Sequence, residues 1–195
     1  MTGLEVFVVF VMTVILVMYI RNHYGEVEYV TSKVDGRTYL VRKLPDKQRA
    51  ADALAALNKD LLFLVLHVKA KYGDSKQDPQ RASDANRLFS NYNPDALSEG
   101  GPENGYTSFS INKGERIVMC LRQADKTFVD KNVLVYVAVH ELGHLATSQT
   151  GHTPMFWENF RWLLREAIEI GIYDKIDFEK DPRQYCGMTI TSSVL

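Results

Sequence analysis

The stretch that most constrains this chain is Val133 to His152, VLVYVAVHELGHLATSQTGH. An apolar run, Val133 to Val139, leads directly into His140-Glu141-Leu142-Gly143-His144. On a helix, residues four apart stand one above the other, so the imidazoles of His140 and His144 reach one metal ion. Glu141 lies one step round, placed to touch a metal-bound water without being a ligand. With 5 His and 11 Glu in 195 residues, chance alone produces this pattern in about 0.7% of chains of the same composition. Asp130 is available as the N-cap of such a helix. A polar pair inside a buried helix also needs a partner, because unpaired buried polar groups are costly. The pattern is therefore read as a metal site rather than as two idle histidines.

A zinc site that stays open for chemistry takes three protein ligands. His152 is read as the third. It follows His144 by eight residues, through Ser148-Gln149-Thr150-Gly151, and precedes Thr153-Pro154, an N-cap and first-turn signal for a second helix. Glu158 and Glu166 on that second helix are the competing donors. Cys186 is a further candidate, as an extra ligand that would block the site.

The segment His140-Glu-Leu-Gly-His144, followed by Gly151-His152-Thr-Pro-Met-Phe156-Trp157, resembles the WLM and SprT-like metallopeptidases. The resemblance covers about residues 132 to 170. It implies zinc held by His140, His144 and His152, Glu141 as general base, and Phe156 packed behind the site. The step of eight residues to the third histidine is longer than the usual WLM spacing, shorter than the SprT one, and unlike the metzincin pattern. The zinc ribbon and DNA-binding tails of SprT-type proteases are absent. The overall layout also resembles proteins encoded by large DNA viruses of algae and amoebae. That likeness implies a rival role as a membrane-tethered structural protein of minor capsid type.

Gly3 to Ile20, GLEVFVVFVMTVILVMYI, carries one charge, Glu5, and no cleavage signal follows it. It is expected to be a transmembrane anchor within residues 1–21, contacting the membrane through residues 3–20. Every Lys and Arg lies behind it, which places residues 22–195 on the cytoplasmic side of a single-pass protein, or between an inner membrane and a capsid. A net charge of -1 and a pI near 6.5 argue against a nucleic-acid surface. Cys120 and Cys186 lack zinc-ligand spacing and read as free buried thiols, with pairing left open.

Residues 24–42 read as a hairpin around Asp35-Gly36. Pro45-Asp46 opens a long helix ending near Tyr72. Its back half, Leu61 to Leu66, is apolar nearly all round and so is expected to be the central buried helix. Residues 74–84 read as a polar surface loop, 85–89 as a short helix and 91–105 as an exposed excursion. Residues 106–111 and 116–121 form a second hairpin, whose first strand is a candidate edge for binding extended substrate. Tyr185 is a candidate oxyanion donor.

The expected fold is α+β: a transmembrane helix, then a small zincin-like domain (22–195) with a long core helix, a small antiparallel sheet and a two-helix zinc unit. The expected function is zinc-dependent hydrolysis of a polypeptide, with Glu141 and Tyr185 catalytic. Neighbouring structural proteins of a capsid are the alternative partners.

Overall fold

The computed structural model describes residues 2–24 (side chains through Tyr19), 26–100 and 108–195. Their helices are α1 (Gly3–Tyr24), α2 (Lys47–Tyr72), α3 (Pro79–Asn91), α4 (Lys131–Ala146) and α5 (Pro154–Glu169). Their strands are β1 (Val27–Thr31), β2 (Thr38–Arg42), β3 (Leu97–Gly100), β4 (Phe109–Ile111), β5 (Arg116–Cys120), β6 (Arg183–Tyr185) and β7 (Met188–Ile190).

The first five strands form one sheet in the order β1-β2-β3-β5-β4, and β6 and β7 form a separate hairpin. β1 and β2 are an antiparallel pair with Val30 opposite Tyr39. β3 pairs parallel with both β2 and β5. This corrects the expected α+β arrangement around an antiparallel sheet: the fold is mixed α/β. The reason is the crossover. A parallel neighbour for β2 requires the chain to return over the sheet, and α2 and α3 make that return.

β3 lies within the stretch expected to be an exposed excursion. Its first three residues, Leu97, Ser98 and Glu99, are buried. Glu99 is tolerated there because Arg122 Nε donates to it at 2.7 Å and the Arg42 backbone N–H at 2.7 Å. Residues 101–105 of the same excursion lie outside the described residues, as do 106 and 107 of the expected edge strand. The expected loop over 74–84 is also corrected. α3 begins at Pro79, with the Asp78 side chain accepting from the Arg81 N–H at 2.9 Å.

Among the described residues, no helix is long and apolar enough to cross a membrane. The anchor expected over residues 1–21, and with it the single-pass topology and the cytoplasmic placement, is therefore corrected. The uninterrupted run between Glu5 and Arg21 is 15 residues, or about 22 Å of helix, against roughly 30 Å of bilayer hydrocarbon. The apolar side chains of α1 from Leu4 to Tyr19 are exposed nearly throughout, Phe7 and Phe10 among them.

The core is built on one face of α2. Leu54, Leu57, Leu61, Leu64, Val65 and Val68 are fully or almost fully buried. Phe63 and Leu66 are 54% and 46% exposed, so the back half of α2 is buried on one side and not all round. α4 is the more enclosed helix, with eleven of its sixteen residues buried.

Candidate metal centre

α4 forms where the apolar run predicts it. The Asp130 carboxylate accepts from the N–H groups of Asn132 and Val133, capping the first turn. Its last carbonyls are equally well satisfied. Thr147 Oγ1 donates to Gly143, Asn91 to Leu145 and Arg87 to Ala146, at 2.7, 2.9 and 2.8 Å. α5 begins with Pro154 in its first turn and the Thr153 hydroxyl accepting from the Phe156 N–H.

The two helices approach closely at Gly143. A Cβ there would stand 3.1 Å from Cε2 of Phe156 and 3.5 Å from Cβ of Phe160. Phe156 is fully buried and stacks on His144, with ring centroids 4.2 Å apart. Trp157 stacks on His152 at 5.5 Å. The aromatic residues of α5 thus fix the orientation of two imidazoles.

His140, His144 and His152 come together. Their donor nitrogens all lie within 4.8 Å of one another, and Nε2 of His140 is 3.0 Å from Nε2 of His152. Tetrahedral ligands about 2.05 Å from a zinc ion stand roughly 3.3 Å apart, so the spacing suits one ion. Protonation is disfavoured. Burial and the imidazoles of His144 and His152 push His140 down to about 3. Burial, His152 and Lys113 push His144 down to about 4. Both are therefore neutral at pH 7, the form that binds metal. Three imidazole nitrogens facing one point fit zinc.

Glu141 is 5% exposed and lines the same cleft. Burial pushes its carboxyl up to about 7, against hydrogen bonds from the Ser110 hydroxyl and backbone N–H. Ser110 belongs to β4, which pairs antiparallel with β5 and stands last in the order of the described strands. The cleft has a volume of 560 Å³ and is lined by the three histidines, Glu141, residues 108–110 and 112–113, and the 149–151 loop.

The remaining sequence candidates lie elsewhere. Tyr185 is buried behind the cleft. Its hydroxyl pairs with that of Ser108 at 2.5 Å, and Ser108 rather than Tyr185 lines the cavity. Burial pushes the Tyr185 phenol far up. Cys186 is joined to Cys120 in a disulfide with a Cα–Cα distance of 6.2 Å, so the expected free thiols are corrected and Cys186 is no ligand. Glu158 is exposed and stands outside the histidine cluster. Glu166 faces α2. There it accepts from Lys71 at 2.9 Å and Tyr72 at 2.5 Å and pairs with His67 at 2.9 Å. His67, Glu166 and Glu169 also cluster, but the Lys71 ammonium bridges both carboxylates and supplies the cation.

Sequence reasoning placed Ser108 and Ser110 on the candidate substrate edge but gave neither an individual role, and it gave Lys113 none. Ser110 lies in β4 and Ser108 immediately precedes it. Lys113 sits in a turn and gave no signal.

No protein-family model and no solved structure matches the chain. It is similar to "Uncharacterized protein R325" of Acanthamoeba polyphaga mimivirus, 33% identical over 172 residues, covering 88% of this chain and 86% of that protein. The chain belongs to the family of that mimivirus protein. It is also similar to uncharacterized proteins of two invertebrate iridescent viruses. That of virus 6 is 34% identical over 86 residues, covering 43% of this chain and 48% of the relative. That of virus 3 is 40% identical over 68 residues, covering 34% and 42%.

Proposed function

We propose that this chain is a zinc-dependent peptidase, in line with its resemblance to the WLM and SprT-like enzymes. One observation carries the reading. Among the described residues the histidine cluster contains three donors and no fourth, and it opens onto a cleft. A structural zinc site is closed by four protein ligands, whereas a catalytic one keeps a position free. Cys186, the sulfur donor that would have closed it, is committed to Cys120.

His140, His144 and His152 would hold the ion. A zinc ion held there would supply Lewis-acid activation of water and of the scissile carbonyl. Glu141 accepts the proton of the attacking water and passes it to the leaving amine nitrogen. A base whose pKa lies near 7 suits both transfers. Ser110 holds the Glu141 carboxylate against β4. Phe109 and Ser110 of β4 line the cleft alongside that carboxylate, and extended polypeptide is the substrate class that the resemblance to these peptidases implies. Tyr185, the candidate oxyanion donor of the sequence, is buried with its hydroxyl paired to that of Ser108. The Ser108 hydroxyl at the cleft wall is the nearer candidate.

Zinc content and a peptide-library digest test this together. The purified chain should carry one zinc, and Glu141→Gln should retain it while hydrolysis falls about 10²–10⁴-fold. Undiminished cleavage by Glu141→Gln removes the proposed general base.

A further inference from the structure

Lys113 lies in the turn between β4 and β5, and its backbone is unusual. Asn112 and Lys113 have φ of 46° and 54°, and Gly114 follows at 112°. Two consecutive non-glycine residues in the left-handed region persist only where their surroundings hold them. The turn is held by packing. A Cβ at Gly114 would run into the Asn91 carbonyl, and it would stand 3.1 Å from Cδ2 of Leu145 on α4. The consequence is that the Lys113 side chain is aimed at the C-terminal end of α4.

There Lys113 Nζ donates to the carbonyls of Thr147, Ser148 and Gln149 at 2.5, 2.9 and 3.1 Å. An ammonium has three donors and no more, so all of its donors are spent on one short loop. The three carbonyls converge where the α4 dipole is negative, which favours a cation. Three residues after Gln149 the same loop delivers His152, which is itself exposed. The other arm of the hairpin carries Ser110, which binds Glu141.

We propose that Lys113 is a positioning residue of the metal centre: its ammonium gathers the carbonyls of residues 147–149 and so sets His152 against His140 and His144. The inference rests on the metal-binding reading above. A ligand on an exposed loop otherwise has to be ordered at the moment the metal binds, and that ordering lowers affinity. Partners that orient ligands are worth about 10- to 100-fold in metal affinity. One hairpin would then place both the general base and the third ligand.

The test uses the full chain with zinc, by competition with a chromogenic chelator, and with cobalt(II) as a spectroscopic probe. Lys113→Met keeps the stem and the same backbone cost but has no donor. It should bind zinc about 10- to 100-fold more weakly than the wild type, and Lys113→Arg should recover part of the loss. The cobalt spectrum of Lys113→Met should move toward that of His152→Ala. In a His152→Ala background, adding Lys113→Met should cost nothing further. Zinc bound equally by wild type and Lys113→Met overturns this inference alone. So does an equal loss with and without His152, which would mark a general effect on folding. Failure of the wild type to bind zinc overturns the metal reading and this inference with it.

Discussion

Arg122 is 2% exposed and sits between two carboxylates. Its Nε donates to Glu99 at 2.7 Å and its NH1 to Asp46 at 2.5 Å. The two partners differ in burial. The Glu99 side chain is fully buried, whereas that of Asp46 is 41% exposed. Replacing Arg122 with Met keeps most of the stem volume and removes the charge. Water rehydrates Asp46 at little cost, as for other exposed ion-pair partners. Glu99 is left with the Arg42 N–H as its remaining described donor. Breaking a buried pair in this way costs about 3–5 kcal/mol. For a chain of this size that lowers Tm by roughly 6–20 °C. Adding Glu99→Gln should reverse much of the damage. The amide is close in shape, carries no charge, and its oxygen still accepts from Arg42. The double variant should be more stable than Arg122→Met by about 2 kcal/mol, after allowing for an amide N–H₂ left short of a partner. Urea unfolding with the disulfide intact reads this directly. If Glu99→Gln gives Arg122→Met no recovery, the cost does not come from an uncompensated charge at Glu99, and the reasoning fails.

His152→Ala should strip or strongly weaken zinc, while Glu158→Ala and Glu166→Ala should leave the stoichiometry unchanged. Loss of zinc from Glu166→Ala with retention in His152→Ala would reverse the ligand assignment. Acid should destabilise the metal-free protein between pH 6.5 and 4.5. In that window the unfolded chain protonates His140 and His144, ordinarily at 6.5, while the fold keeps them neutral to about 3 and 4. The folded Glu141, raised from 4.5 to about 7, holds one proton that the unfolded chain has released. The unfolded state thus binds a net one proton more, so stability falls with pH. Glu141→Gln removes the opposing group and should steepen the fall, as urea midpoints at pH 7 and 5 would show. A shallower fall in that variant would contradict the sign.

The site was more legible than the sheet. His140, His144 and Glu141 announce themselves through helical spacing, and His152 through its place before Thr153-Pro154. These are local signals. β3 could not be read in this way, because Ser98 and Glu99 look solvated until Arg122, 23 residues on, is known to meet Glu99 inside the fold. The start of α3 was readable, since Asp78-Pro79 is a capping signal, but the polar composition around it masked the helix. The N-terminal run misled because composition reports how apolar a segment is more clearly than how far it reaches. Pairing of Cys120 with Cys186 spans 66 residues, and nothing in the spacing reveals it. Lys113 illustrates a further limit: three carbonyls converging on one ammonium is a property of the folded backbone, invisible in residue types.

The disulfide has a topological consequence. It closes a covalent ring that contains α4, the 147–151 loop and α5, and therefore all three histidines. A single backbone break anywhere inside the ring, even between His144 and His152, does not release a fragment. The two pieces remain tied through sulfur, and His152 stays tethered to His140 and His144. Residues 148–151, between the second and third histidines, are exposed and open to such cuts. The ring converts such a cut from dismemberment into a nick, so long as the sulfurs stay oxidised.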